Sequence, residues 1–314
     1  MKPAILLATG PWNPKLWEGP LAAADPDRPV FTYPDVPDRA AVRYALLWKS
    51  PADALARLPN LAAIFSLGAG VDHVVGLDLP PVPIVRIVDP DLTMRMTEHV
   101  VLHVLYHHRK IPQYQEQQKK HIWRELRQPA ANAVRVGIMG LGELGRDAAD
   151  VLVRLGFQVS GWSRTAKAVP GVACFAGADG LAPFLARTDI LVVLLPLTPG
   201  TRGILDRRVF EGLARDGALP GPVVINAGRG GLQNEADLLA ALDDGTLAGA
   251  SLDVFVNEPL AKESRFWDHP RVMLTPHAAA SSEASALAPG ILAQIEAFER
   301  GEPLRNLVDR ERAY

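Results

Sequence analysis

Three residues in the last third of the sequence are of types that do acid–base work, and each follows a short apolar run. Arg229 follows VVINAG, Glu258 follows SLDVF, and His277 follows VMLTP. Asn226 and Asp253 close two of the same runs. An arginine fork can hold a carboxylate through two parallel hydrogen bonds. A histidine exchanges a proton near neutral pH, and a neighbouring carboxylate orients the ring and favours its charged form. Each residue alone is commonplace at a strand end. Together they could hold an organic acid and protonate its carbonyl oxygen.

A second constellation supplies what such a reaction lacks. VRVGIMGLGELG, Val134 to Gly145, is an apolar run that breaks into Gly140, Gly142 and Gly145, spaced G-x-G-x-x-G, and leads into a helical pattern. In a strand–turn–helix, the first glycine permits the tight turn. The second lets the backbone approach a pyrophosphate, and the third lets helix and strand pack closely. The helix N-terminus then favours the anion. Gly140, Leu141, Gly142, Glu143, Leu144 and Gly145 are therefore the expected phosphate cradle of a dinucleotide. An NAD-selective site places an acid about 20 residues further on, to bind the ribose 2′-OH. Here Ser163-Arg164-Thr165 stands there, with Lys167 beyond, and no acid occurs between Val151 and Ala178. A cation flanked by hydroxyls suits a 2′-phosphate. The expected cofactor is NADP(H) in preference to NAD(H); the alternative is a solvated strand-end arginine. Hydride from a nicotinamide and a proton from His277 would reduce a 2-oxo acid.

The elements that must position these groups follow from the apolar runs. AILLATG, YALLW, LAAIFSLGAG, VPIVRIV, VRVGIMG, QVSGW, ILVVLLP, VVINAG, GASLDVF and VMLTPH recur with helical patterns between them. Continuous apolar strands alternating with helices indicate parallel sheets covered on both faces. So many strands exceed one doubly wound sheet, which predicts two α/β domains. Ala4–Thr9 reads as the first buried strand. A helix over Thr93–His108 separates the two groups of strands, and Pro112 is expected to kink or end it. A helix over Ser281–Arg300 could cross back to the first domain.

Composition narrows the function classes. The 314 residues are 48% hydrophobic and 22% charged, with net charge −2, which argues against nucleic-acid and membrane partners. Cys174 is the only cysteine, so no intrachain disulfide is possible and a cytoplasmic location fits. It reads as a small buried residue. The N-terminal apolar run is too short for a span and lacks a cleavage site. His99, His103 and His107 share one helix face. They lack the acid of a zinc-binding helix, so the expectation is an interfacial face with polar tips and no metal.

These motifs resemble the D-isomer-specific 2-hydroxyacid dehydrogenase family, and within it the bacterial glyoxylate/hydroxypyruvate reductase branch. The resemblance runs through SLGAGVDHV (Ser66–Val74), MGLGELG, WSRT followed by PGV, LLPLTPGTRGIL, NAGRG, LDVFVNEPL and TPHAA. It implies a Rossmann NADP-binding domain, residues 96–283, inserted in a smaller flavodoxin-like substrate domain, residues 1–95 and 284–314. It also implies an active site in the cleft and a homodimer formed through the nucleotide domains. By resemblance, Arg229 binds the substrate carboxylate and carbonyl, Glu258 holds His277, and His277 gives the proton. The backbone N–H groups of Leu67, Gly68, Ala69 and Gly70 would contact the carboxylate, and Trp48 would wall the substrate pocket. Asp253 would meet the nicotinamide amide. Leu195, Pro196, Thr201, Ala227, Gly228 and Ala279 would border the cofactor. The implied reaction is NADPH-dependent reduction of small 2-oxo acids, glyoxylate to glycolate and hydroxypyruvate to D-glycerate. Alternatives are another dehydrogenase activity of the family or a dinucleotide-sensing regulator on the same fold. Two departures stand out. Gly228 replaces an alanine common in the family, which should be harmless. Ser281-Ser282-Glu283 follows TPHAAA where relatives carry other polar residues.

Overall fold

The computed structural model describes residues 2–75, 77, 79–281 and 283–311. Ser282, part of the second departure, lies outside them. The chain forms two compact units, one from residues up to Leu92 and from Ser281 onward, the other Thr93–Ala280.

The first unit is built on five parallel strands: β1 (Ala4–Ala8), β2 (Val30–Thr32), β3 (Val42–Leu47), β4 (Ala63–Ser66) and β5 (Ile84–Val85). Their order is β2-β1-β3-β4-β5. Every residue of β1 and β4 is buried, as expected of strands covered on both faces. Helices α1 (Lys15–Ala24) and α9 (Ala284–Glu299) pack together, so the end of the chain completes the core begun by its first residues. A polar clasp joins them. Arg28 donates to Asp25 at 2.9 Å and to Glu299 at 2.8 and 3.0 Å, and Lys2 reaches Asp25 at 2.7 Å. Burial opposes the charge on Asp25, but hydrogen bonds from Lys2 and Arg28 outweigh it and hold the carboxyl below its usual range. A short helix, α2 (Asp72–Val75), follows β4 in the chain.

The second unit has seven parallel strands: β6 (Arg135–Met139), β7 (Gln158–Ser163), β8 (Val172–Ala176), β9 (Ile190–Val193), β10 (Val223–Asn226), β11 (Gly249–Leu252) and β12 (Val272–Leu274). The order β12-β11-β10-β9-β6-β7-β8 reverses direction between β6 and β9. In such a sheet ligands bind beyond the strands' carboxyl ends, at this switch point. The helices are α3 (Pro90–His108), α4 (Ile111–Lys119), α5 (Glu143–Arg154), α6 (Leu181–Leu185), α7 (Arg207–Gly212) and α8 (Glu235–Asp243). Two cores flank the sheet, one including Phe184, Phe210 and Phe266, the other Ile138, Leu141 and Leu152.

The α/β class with two parallel sheets is as expected, but several local readings need correction. Two strands go beyond the expected runs: β2, VFT, is too short to stand out, and β8, VACFA, is a continuous apolar run on a sheet edge that is only partly buried. Cys174 lies on edge strand β8 and is half-buried, not buried. Pro112 neither kinks nor ends α3. That helix stops at His108, Lys110 adopts a left-handed backbone, and Pro112 sits in the first turn of α4, where its missing N–H has no intrahelical partner to lose.

The histidine stripe turns into the second unit's own core rather than forming an interfacial face. His107 Nε2 lies 2.9 Å from Ser251 Oγ on β11, and the His99 and His103 rings meet at a tilt, centroids 4.3 Å apart. Burial, then neighbouring His99, brings His103 down to about 4, and burial, then His103, brings His107 down to about 3. Among the described residues no group of three His, Cys, Asp or Glu is placed to hold a metal ion.

Candidate functional site

The glycine turn sits at the carboxyl end of β6, at the switch point, and the three glycines have separate physical reasons. Gly140 has φ +111°, and a Cβ there would press on the Leu194 carbonyl. A Cβ on Gly145 would fall on the Gly140 carbonyl oxygen, so helix and turn meet backbone to backbone. Gly142 caps α5 without a side-chain hydrogen bond, and a Cβ on it would meet nothing within 4 Å. Open space above an uncapped helix N-terminus is what a bound pyrophosphate requires. Within this turn Leu141 packs into the core against Gly161, Glu143 is exposed in the first turn of α5, and Leu144 is half-buried.

The end of β7 carries the expected phosphate partners. Arg164, Thr165 and Lys167 are exposed, whereas Ser163 is buried and donates its hydroxyl to the Thr165 carbonyl at 2.8 Å. Ser163 thus folds the turn that carries the cationic side chains. Thr201 likewise folds its own loop: its hydroxyl donates to the Pro196 carbonyl at 2.7 Å and accepts from Thr198 N at 2.8 Å. Leu195, Ala227 and Ala279 are buried. A Cβ on Gly228 would lie 3.0 Å from the Leu195 carbonyl oxygen, so alanine would be crowded at this position. The open Gly142 cradle and the exposed Arg164 and Lys167 fit a phosphorylated dinucleotide.

The acid–base residues lie on loops beyond three neighbouring strands, β10, β11 and β12, and these loops are stitched together. Fully buried Asn226 accepts from Gly228 N at 3.1 Å and donates to Gln233 Oε1 at 3.0 Å and to the Arg229 carbonyl at 3.3 Å. Gln233 donates onward to the Val254 carbonyl at 3.2 Å. A Cβ on Gly230 would collide with the Phe255 backbone, so the Arg229 loop and the Asp253–Glu258 loop are pressed together. Half-buried Arg229 donates Nη1 to the Gly228 carbonyl at 2.9 Å.

Glu258 and His277 form a pair. Glu258 Oε2 lies 2.8 Å from His277 Nδ1, and Oε1 accepts from Phe255 N at 3.2 Å. A carboxylate has no proton to give, so Nδ1–H donates and Nε2 remains for proton exchange. Both side chains are partly exposed, at 32% for His277 and 25% for Glu258, so a substrate can reach them. Asp253 is buried and knits the loop around His277, accepting from Thr275 Oγ1 at 2.6 Å, Ala278 N at 2.8 Å and Ala279 N at 3.1 Å.

The remaining expected residues belong to the first unit. Trp48 is 8% exposed and stacks on Trp12 with centroids 4.5 Å apart at 15°. A Cβ on Gly68 would land on the six-membered ring of Trp48, so only glycine fits beneath the indole. Leu67 N–H is committed to the Leu47 carbonyl at 2.9 Å, and Gly68 N–H weakly to Ser66 Oγ at 3.4 Å. Among the described residues nothing accepts from the N–H groups of Ala69 and Gly70. Sequence reasoning missed Trp12, Gln233 and Thr275. Thr275 alone carried a signal, a hydroxyl two residues before His277.

Comparison with known proteins places the chain among relatives of one family. Residues 101–279 match the family described as D-isomer specific 2-hydroxyacid dehydrogenase, NAD binding domain. The chain is 40% identical over 305 residues to glyoxylate/hydroxypyruvate reductase A of Serratia proteamaculans, covering 95% of this chain and 96% of that one. Among solved structures it is similar to the NADPH-dependent glyoxylate/hydroxypyruvate reductase from Sinorhizobium meliloti in complex with NADP and sulfate. That match has TM-score 0.95 and 50% identity over 100% of both chains. A 2-hydroxyacid dehydrogenase from Xanthobacter autotrophicus Py2 in complex with NADPH and MES matches with TM-score 0.95 and 41% identity, again over 100% of both.

Proposed function

The chain belongs to the D-isomer-specific 2-hydroxyacid dehydrogenase family, and from that premise we propose that it reduces small 2-oxo acids with NADPH, His277 serving as proton donor. The observation that carries the reading is the 2.8 Å pair of His277 Nδ1 and Glu258 Oε2 on loops of a sheet whose switch point holds an open glycine cradle. Gly140–Gly145 hold the pyrophosphate, and Arg164 with Lys167 binds the 2′-phosphate. When bound, NADPH supplies the hydride that the carbonyl carbon requires. Arg229 holds the substrate carboxylate in a bidentate fork and so fixes the adjacent carbonyl. His277 delivers the proton from Nε2 to the carbonyl oxygen. Glu258 stabilises the imidazolium beforehand and fixes the ring through Nδ1.

The same reading extends to substrate and setting. Trp48, pinned between Trp12 and Gly68, restricts the substrate side chain, and Ala69 and Gly70 offer N–H groups to the carboxylate. Glyoxylate and hydroxypyruvate are then the better substrates, pyruvate poorer, and branched or phosphorylated 2-oxo acids poorest. The protein works as a homodimer through the second unit, where Trp123 is fully exposed beside half-exposed Ile122. A cytoplasmic location accords with a single cysteine; among the described residues no helix is long and apolar enough to cross a membrane.

The test is turnover, followed by NADPH absorbance over a panel of 2-oxo acids, for the parent and His277→Gln. The variant loses roughly 10²–10⁴-fold in kcat while its affinity for NADPH is unchanged. Near-normal turnover by the variant removes His277 from the mechanism. Absence of turnover by the parent with every acid favours a regulator instead.

A further inference from the structure

His277 occupies an uncommon backbone conformation for its role. Its φ is +55°, in the left-handed region that residues other than glycine rarely adopt. Such a conformation persists only where surrounding bonds over-determine it. Here the determinants can be traced. On the near side, Thr275 N donates to the Leu252 carbonyl at 3.0 Å and His277 N to the Asp253 carbonyl at 2.8 Å. On the far side, Ala278 N and Ala279 N both end on the Asp253 carboxylate. Thr275 Oγ1 closes the ring by donating to Asp253 Oδ1 at 2.6 Å, the shortest of these bonds. Oδ1 therefore takes two donors, one from each side of His277, and the hydroxyl fixes the carboxylate that fixes the loop.

We propose that Thr275 is a positioning residue for proton transfer: its hydroxyl locks the Asp253 carboxylate, and this clamp holds His277 in the left-handed backbone that keeps Nδ1 on Glu258. The inference rests on His277 being the proton donor. The hydroxyl touches neither substrate nor cofactor in this role, and its effect is on geometry. Two features argue that this is more than loop packing. Thr275 is only half-buried, so its methyl group contributes little core. The bond spans 22 residues of sequence and ties the loop of β12 to that of β11, the loop that also carries Glu258.

The test uses Thr275→Val, which keeps the shape and removes the donor, Thr275→Ser, which restores it, and His277→Gln in parallel. Thr275→Val lowers kcat by roughly 10- to 100-fold, the scale of a misplaced catalytic group. KM for the 2-oxo acid stays within about twofold, because Arg229 is untouched. The pH profile of kcat/KM changes shape as the proton donor loses its fixed position. Side-chain ¹H–¹⁵N spectra of the unliganded protein show the His277 Nδ1–H signal broadened or lost. Thr275→Ser returns all of these to the parent's values. If Thr275→Val does not fold, Thr275→Ala replaces it, judged by the same readouts and the same rescue. A folded variant with the parent's kcat, profile and His277 signal overturns the clamp, as does a loss that serine fails to restore. Should His277→Gln itself retain turnover, the proton-donor reading fails first; should it lose turnover while Thr275→Val does not, the clamp alone fails.

Discussion

Mild acid should destabilise the second unit through two histidines that have nothing to do with turnover. His103 and His107 are 2% and 9% exposed, and their rings are held down to about 4 and about 3, burial being the main cause in each. In the unfolded chain each titrates near ~6.5. Above that value both states carry neutral rings, and the histidines impose no pH dependence. As pH falls through ~6.5 the unfolded chain takes up protons that the folded one refuses, so stability is lost. The loss continues until the folded values are reached and levels off below about 3. Each ring contributes a limiting slope of about 1.4 kcal/mol per pH unit. For the pair, that amounts to about 4 kcal/mol by pH ~5, a large part of a usual domain stability of roughly 5–15 kcal/mol. The carboxyls of Asp25 and Glu299 are held below their ordinary range, so they titrate beneath this window. Urea unfolding at several pH values from about 7.5 to about 5 measures the slope. His107→Gln keeps a polar group beside Ser251 and removes one ring's titration, so the limiting slope should fall by about 1.4 kcal/mol per pH unit. A parent whose stability is flat across the window, or a variant with an unchanged slope, refutes the burial argument.

Two further outcomes separate packing from ligand contact. Gly145→Ala must force its Cβ into the Gly140 carbonyl and should cost about 1–3 kcal/mol in unfolding free energy together with weakened NADPH binding. Gly142→Ala has open space and an ordinary φ of −80°, so stability should hold while the NADPH dissociation constant rises; calorimetric titration beside thermal unfolding distinguishes the two. Arg164→Asp should weaken NADPH by about 1.5–3 kcal/mol and leave NADH nearly unchanged, measured by fluorescence titration of both cofactors, and equal effects on the two would refute the phosphate role.

The sequence by itself determined much of the framework. Buried parallel strands are continuous apolar runs, and turns that need glycine carry glycine, so β1, β6, β9 and β10 and the Gly140–Gly145 turn could be read directly. Chemical type marked Arg229, Glu258 and His277, because few arrangements place those residues after consecutive strands. Tertiary structure decided the rest. Strand β2 is only three residues long and too short to leave a pattern, and the direction in which the His99–His107 face turns depends on β11, more than a hundred residues away. Hydroxyl and amide groups such as Thr275, Gln233 and Asn226 carry no periodic signal. Their partners, Asp253 for Thr275 and Val254 for Gln233, are set by which strand ends become neighbours in the sheet, so their role as the framework beneath His277 and Arg229 exists only in the folded chain.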